Sequence, residues 1–322
     1  MAKPISTYSQ TEIAAPPGAE VPESLAPYLN SFFITKDDLN LRVILAQKPE
    51  IMPRGTIIIS PGRTEFGEKY LEMIEDFLSR RFVVMVIDHR GQGRSSRILD
   101  DPLKSYVKQF QDYADDFGYV IDELDTHLPK PHVVLAHSMG GCIAFQSVIS
   151  GTINPSAMIC SAPMLGLFEL DTPVLQWLLR GLSYLGLAQK HVPFSKQTKG
   201  LPVAFKHNKL TSDLDRFNRW ACYFTHIPAL RLAGPTIGWV RAALQSMRFV
   251  NRNAAQVKTP TLIISAGADP IVDPASHKRF AAKSGATLKV VPGARHELFL
   301  EKDEYRDGFF KIVDTYLEQN AL

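Results

Sequence analysis

The stretch His132-Val-Val-Leu-Ala-His-Ser138-Met-Gly-Gly-Cys142 constrains the fold more than any other, because an apolar run ends abruptly in a serine followed by two glycines. Val133 to Ala136 read as a short buried strand, and Met139 to Ser150 as the helix that leaves it. A strand that turns into a helix within one or two residues leaves its corner side chain strained above the sheet edge, a position suited to a nucleophile. Small residues must flank that corner, since strand and helix pass close together. Gly140 meets this need after Ser138, and Ala136 stands where the G-x-S-x-G pattern has its first glycine. Alone, the pattern also describes a surface serine in a tight turn, so its partners must be sought elsewhere in the chain.

The flanking segments alternate strand and helix. Residues up to about Asn30 are rich in Pro, Ala and Glu and read as a loosely held arm (1–30). Ser31 to Thr35 and Leu41 to Ala46 suggest an antiparallel hairpin. Thr56 to Ser60 is a β-branched run stopped by Pro61-Gly62, Lys69 to Arg80 has helical apolar spacing, and Phe82 to Ile87 is another buried strand. Strand, helix and strand in that order imply a right-handed crossover and a parallel pair. A long helix is predicted over Ser105 to His127, and Ala157 to Ser161 is a sixth strand.

After Ala162-Pro163 the alternation gives way to about a hundred residues of helix and loop, including Val174 to Leu187 and Ile237 to Met247. Strand patterning returns at Thr261 to Ser265, with a helix near Pro274 to Ser284, a strand at Leu288 to Val291 and a final helix from about Tyr305. The economical reading is an α/β fold: one doubly wound, mostly parallel sheet built from 31–161 and 259–322, with a helical lid (162–258) inserted after the sixth strand. In such sheets ligands bind beyond the carboxyl ends of the strands, where the insertion departs.

Composition narrows the function classes. A hydrophobic share of 45% and a charged share of 21% describe a globular chain able to bury a sizeable core. Net charge is +3, yet the segment from Ala162 to Lys258 holds thirteen Lys and Arg against four acids, so it carries +9 and the remainder about −6. Those basic residues are mixed with apolar helix faces and accompany no nucleic-acid motif, which disfavours nucleic acid as a partner. Asp88-His-Arg-Gly-Gln-Gly-Arg-Ser95 offers G-x-G without the third glycine that opens a dinucleotide-binding helix. Three widely spaced cysteines, Cys142, Cys160 and Cys222, read as reduced thiols. No apolar leader or membrane-length run is present, so the expected location is cytoplasmic or peripheral to the inner membrane.

A serine hydroxyl needs a base, and the base works best beside a carboxylate that fixes its tautomer. Asp269 follows the strand at Thr261 to Ser265, and His296 follows the strand at Leu288 to Val291. The order Ser, Asp, His is the one this topology demands. Asp273 is an alternative acid, although it stands where a helix N-cap is expected before Pro274. His137 is assigned to packing or a hydrogen bond, and His89 and His277 are weaker candidates for the base. Ester attack puts negative charge on the carbonyl oxygen, which preorganised N–H donors stabilise. The backbone N–H of Met139 is one candidate; the other is that of Arg63, in Ser60-Pro-Gly-Arg-Thr-Glu65, with Thr64 a second possibility.

With these residues placed, the chain resembles the α/β-hydrolases, and among them the bacterial lysophospholipase L2 and monoacylglycerol lipase group of serine hydrolases. The marks are Pro61-Gly-Arg-Thr-Glu65, Asp88-His-Arg-Gly-Gln-Gly-Arg-Ser95, Ala136-His-Ser-Met-Gly-Gly141, Ser161-Ala-Pro-Met164 and Gly293-Ala-Arg-His-Glu297. By this resemblance the nucleophile falls on Ser138, the acid on Asp269, the base on His296 and the oxyanion donors on Met139 and Arg63; alanine at 136 is a feature of the lysophospholipase branch. The resemblance implies cleavage of one acyl ester of a glycerolipid, without metal or organic cofactor; an esterase or aminopeptidase of the same fold acting on a small soluble substrate is the alternative, and would differ only in the lid. Long apolar faces in the insertion, such as Val174, Trp177, Leu178, Leu182 and Leu185, are expected to cradle an acyl chain. The basic loop Lys190 to Lys199 would meet an anionic lipid surface.

Overall fold

The computed structural model describes residues 4–168, 172–192 and 199–322. Its frame is a nine-stranded sheet: β1 (Ser9–Gln10), β2 (Leu29–Lys36), β3 (Leu39–Ala46), β4 (Gly55–Ser60), β5 (Phe82–Ile87), β6 (His132–His137), β7 (Ala157–Ser161), β8 (Thr261–Ala266) and β9 (Thr287–Val291). In space the order is β1-β2-β3-β5-β4-β6-β7-β8-β9. β4 to β9 run parallel, while β1, β2 and β3 pair antiparallel at one edge. The chain goes from β4 to β5 on one side and then to β6 on the other. That reversal opens a crevice beyond the carboxyl ends of β4 and β6.

Local chemistry explains the strands. β4, β5 and β8 are buried along their whole length because helices cover both faces, which suits their unbroken β-branched and apolar runs. The β2–β3 hairpin closes through Asp37 and Asp38, both at positive φ, the geometry whose twist matches paired strands. The helices are α1 (Leu71–Ser79), α2 (Gln111–Glu123), α3 (Met139–Ser150), α4 (Pro173–Leu182), α5 (Leu214–His226), α6 (Ile237–Arg252), α7 (Pro274–Ser284) and α8 (Asp303–Gln319). One core layer sets Phe77 of α1 and Phe309 and Val313 of α8 against Ile57, Ile59 and Leu135. The other sets Phe117 of α2, Phe145 of α3 and Phe280 of α7 against Ile58, Val134 and Met158.

The structure departs from the sequence reading in three places. The residues expected as a loose arm are fastened down: Ser9–Gln10 forms a ninth strand, Tyr8 stacks on Phe32, Ala14 N–H donates to Glu68, and Tyr223 O–H donates to the carbonyls of Ala14 and Ala19. With β1 counted, the helical segment 162–258 follows the seventh strand. The helix predicted from Ser105 begins only at Gln111, because the Ser105 carbonyl accepts from the amide and hydroxyl of Thr236 instead. Residues 193–198, which make up most of the basic loop Lys190 to Lys199, lie outside the described residues.

Candidate active site

Ser138 stands between β6 and α3 at φ 50°, ψ −116°, a conformation that L side chains rarely adopt. The corner is held from several sides. Ser138 N–H donates to Ser161 O on β7, and the Ser138 carbonyl accepts from the amides of Gly141, Cys142 and Met164. A Cβ on Gly140 would lie 2.0 Å from the Ser60 carbonyl oxygen, and one on Gly141 would lie 2.5 Å from Pro163 Cβ. Ala136 is fully buried in β6, where its methyl is accommodated.

The Asp269 and His296 loops are stitched together by main-chain bonds, Gly267 N–H to Val291 O and Ala268 N–H to Ala294 O. His296 Nε2 lies 2.9 Å from Ser138 Oγ, and His296 Nδ1 lies 2.7 Å from Asp269 Oδ2. The other Asp269 oxygen accepts from the amides of Ile271 and Val272 at 2.8 and 3.0 Å. Burial alone would raise the Asp269 carboxyl, but the hydrogen bond and charge of His296, with those two amides, outweigh it and hold it below the ordinary carboxylate range. The carboxylate therefore stays ionised and fixes the imidazole through Nδ1–H, leaving Nε2 toward the serine.

The competing residues are engaged elsewhere. Asp273 caps α7, accepting from Ala275 N–H. His277 is held between Ser265 Oγ and Pro163 O, and His89 lies 2.9 Å from Ser60 Oγ. The His137 ring contacts Ser161 O at 3.1 Å and packs edge-on against Phe299. Burial pushes His89 and His137 down to about 3, so both are neutral.

Of the possible oxyanion donors, Gly62 N–H goes to the Glu65 carboxylate and Thr64 N–H goes to Gln92 Oε1 at 2.7 Å. The amides of Arg63 and Met139 have no partner among the described residues. Met139 opens α3, where the first N–H groups lack intrahelical acceptors.

Beneath the site lies a cluster that sequence reasoning left without a role. Lys69 Nζ is 2.9 Å from Glu65 Oε1 and 2.5 Å from Glu297 Oε1, and Tyr70 O–H donates to Glu65. All are buried, so burial works against the Lys69 charge while the two acids raise it back above its ordinary value. Burial, together with the Glu65 charge, raises Glu297. Glu65 and Glu297 follow the ends of β4 and β9, and His137, the last residue of β6, has its Nε2 3.9 Å from Glu65 Oε1, so the cluster joins three of the four elements that carry the site. The only sequence signal was their adjacency: Glu65 closes the Pro-Gly-Arg-Thr run, His137 precedes Ser138 and Glu297 follows His296.

Residues 51–303 match the model of the serine aminopeptidase S33 family, Hydrolase_4. The chain belongs to this family. Among relatives of this α/β-hydrolase, lysophospholipase L2 of Escherichia coli strain K12 is 33% identical over 82% of this chain and 81% of its own length. Monoacylglycerol lipase of Mycolicibacterium smegmatis is 25% identical over 80% of this chain and 86% of its own. In fold, the chain is similar to a soluble variant of monoglyceride lipase from Saccharomyces cerevisiae, with a TM-score of 0.70 and 19% identity over 91% of this chain and 96% of that one. Among the described residues no helix is long and apolar enough to cross a membrane.

Proposed function

We propose that this α/β-hydrolase cleaves a single carboxylic ester of a lysophospholipid or monoacylglycerol through an acyl-enzyme. The observation that carries the reading is the continuous hydrogen-bonded line from Ser138 Oγ through His296 to Asp269. His296 Nε2 takes the hydroxyl proton as Ser138 Oγ attacks the ester carbonyl, and Asp269 stabilises the imidazolium that forms. Charge on the carbonyl oxygen is met by the amides of Met139 and Arg63, each worth about 10²–10³ in rate. The imidazolium then protonates the departing alcohol, and water activated by the same imidazole frees the fatty acid.

The relatives' names support a lipid ester, and so does the segment 162–258, read as a lid. On α4 the side chains of Trp177, Leu178 and Val174 are exposed, as are Tyr184 and Leu185 just beyond it. Of the face expected to cradle the acyl chain, Val174, Trp177, Leu178 and Leu185 turn outward, while Leu182 packs against the core; Gln176 and Leu179 are buried beneath. An outward apolar face within a segment of net charge +9 suits peripheral contact with an anionic membrane surface.

The test is fatty-acid release from lysophosphatidylcholine, monoacylglycerol and short p-nitrophenyl esters, measured side by side. Turnover of a long-chain lipid ester that disappears in Ser138→Ala supports the reading. Turnover of the short esters alone reassigns the chain to small soluble substrates.

A further inference from the structure

A cavity of about 250 Å³ adjoins the loop after β4, between that loop and the segment 162–258. Its wall contains Arg63, Lys69 and Lys209 and the aromatic rings of Phe217, Trp220 and Phe224, and, among the described residues, no Asp or Glu. Lys69 is already neutralised by Glu65 and Glu297. Arg63 is not. Its Nη2 donates to the Ala233 carbonyl at 2.6 Å and its guanidinium lies 5.3 Å from the centre of the Trp239 ring, but Nε is buried with no hydrogen-bond partner. No carboxylate among the described residues pairs with it, and burial without a counter-ion pulls it down to about 10. Lys209 stands exposed at the rim, with no ion pair among the described residues.

Arg63 is half-buried with its Nε fully covered, and a guanidinium partly withdrawn from water without an anion is costly unless a ligand supplies one. Arginine's planar fork matches phosphate oxygens. Arg63 is also the residue whose amide is a proposed oxyanion donor, so one residue spans the two sites. From that amide to the tip of the guanidinium runs about the same number of covalent bonds as from the acyl carbon to the phosphorus of a lysophospholipid. We infer that the Arg63 side chain receives the phosphate of a lysophospholipid while the ester carbonyl sits at the Arg63 amide. Arg63 is then a specificity-determining residue that favours phosphate-bearing esters over neutral monoacylglycerols. An α-ammonium group, as on a peptide substrate, would be repelled by the same wall. This inference rests on the ester-hydrolase reading above.

The test compares lysophosphatidylglycerol with monoacylglycerol of the same acyl chain, both in neutral detergent mixed micelles so that surface charge does not contribute. In Arg63→Gln the ratio of kcat/KM for the two substrates should fall tenfold or more, mainly through KM for the phosphate ester, and Arg63→Lys should fall between. A ratio within twofold of wild type, with both substrates losing activity alike, would overturn the inference and leave Arg63 as a clamp on Ala233. Should Arg63→Gln not fold, as judged by its thermal melt, Lys209→Gln is read instead: a fall of twofold or more supports the site, and an unchanged ratio refutes it. Hydrolysis of neither lipid by the wild type would reject the parent reading, whereas hydrolysis of both, indifferent to residue 63, rejects only this site.

Discussion

Ser138 keeps its left-handed conformation because its neighbours leave no other path: its carbonyl holds three amides, and Gly140 lets α3 pass against the Ser60 carbonyl. Gly140→Ala must therefore push α3 away from β4. Its expected cost is about 3 kcal/mol, at the upper end for forced overpacking, read by urea denaturation. The proposed relay residues, Asp269 and His296, behave differently, since their side chains touch each other more than they fill the core. Asp269→Asn should lower kcat by about 10⁴, with the melting temperature little changed. The buried imidazoles of His89 and His137, held down to about 3, set a pH dependence. Between pH 6.5 and about 3 the unfolded chain binds protons that the folded chain excludes, so their contribution is full above pH 6.5 and is lost on acidification. Each imidazole adds a slope of at most about 1.4 kcal/mol per pH unit in that window. Glu297, raised, acts in the opposite sense, so the clean measurement is a difference: His89→Gln should show a shallower loss of stability between pH 6.5 and pH 4 than wild type. Equal slopes would refute the assignment.

At the scale of elements, the active geometry depends on loops that leave β4, β6, β8 and β9 and are locked to one another. Lys69 ties the loops of β4 and β9 together through Glu65 and Glu297. Removing its charge in Lys69→Met strands Glu65 and Glu297 in the interior and should cost about 3–5 kcal/mol, read by denaturant unfolding. Eight of the nine strands, and the placing of Ser138, Asp269 and His296 at strand ends, were legible in the sequence; β1 was not. A buried parallel strand must be apolar throughout, and a nucleophile, acid and base must follow strand ends to meet at one rim. The Lys69 cluster was not legible, because Lys69 and Glu297 lie 228 residues apart and nothing local distinguishes a buried Lys from a solvated one. The start of α2 was missed for a related reason: helical spacing from Ser105 is overridden by a distant partner, Thr236.

For the whole molecule, the arm shows the limit of composition as a guide. Its Pro and Ala content suggests looseness, yet Tyr8, Ala14, Ala19 and Leu25 are buried against the sheet and α5. The apolar face on α4 illustrates the converse, for an amphipathic pattern cannot say which way its apolar side points. Trp177 on α4 is 73% exposed and Leu185 just beyond it 71%, so these are the side chains that the proposed lipid contact would use. The double variant Trp177→Ser with Leu185→Ser should weaken co-sedimentation with anionic vesicles without lowering the melting temperature; unchanged binding would remove the membrane contact. The most direct trial of a nucleophile at the β6–α3 corner is covalent capture by a fluorophosphonate, located by mass spectrometry of the proteolysed protein. The expected result is one adduct, on Ser138, that is lost in Ser138→Ala and strongly slowed in His296→Ala. An adduct on another residue, or equal labelling of Ser138→Ala and wild type, would contradict it.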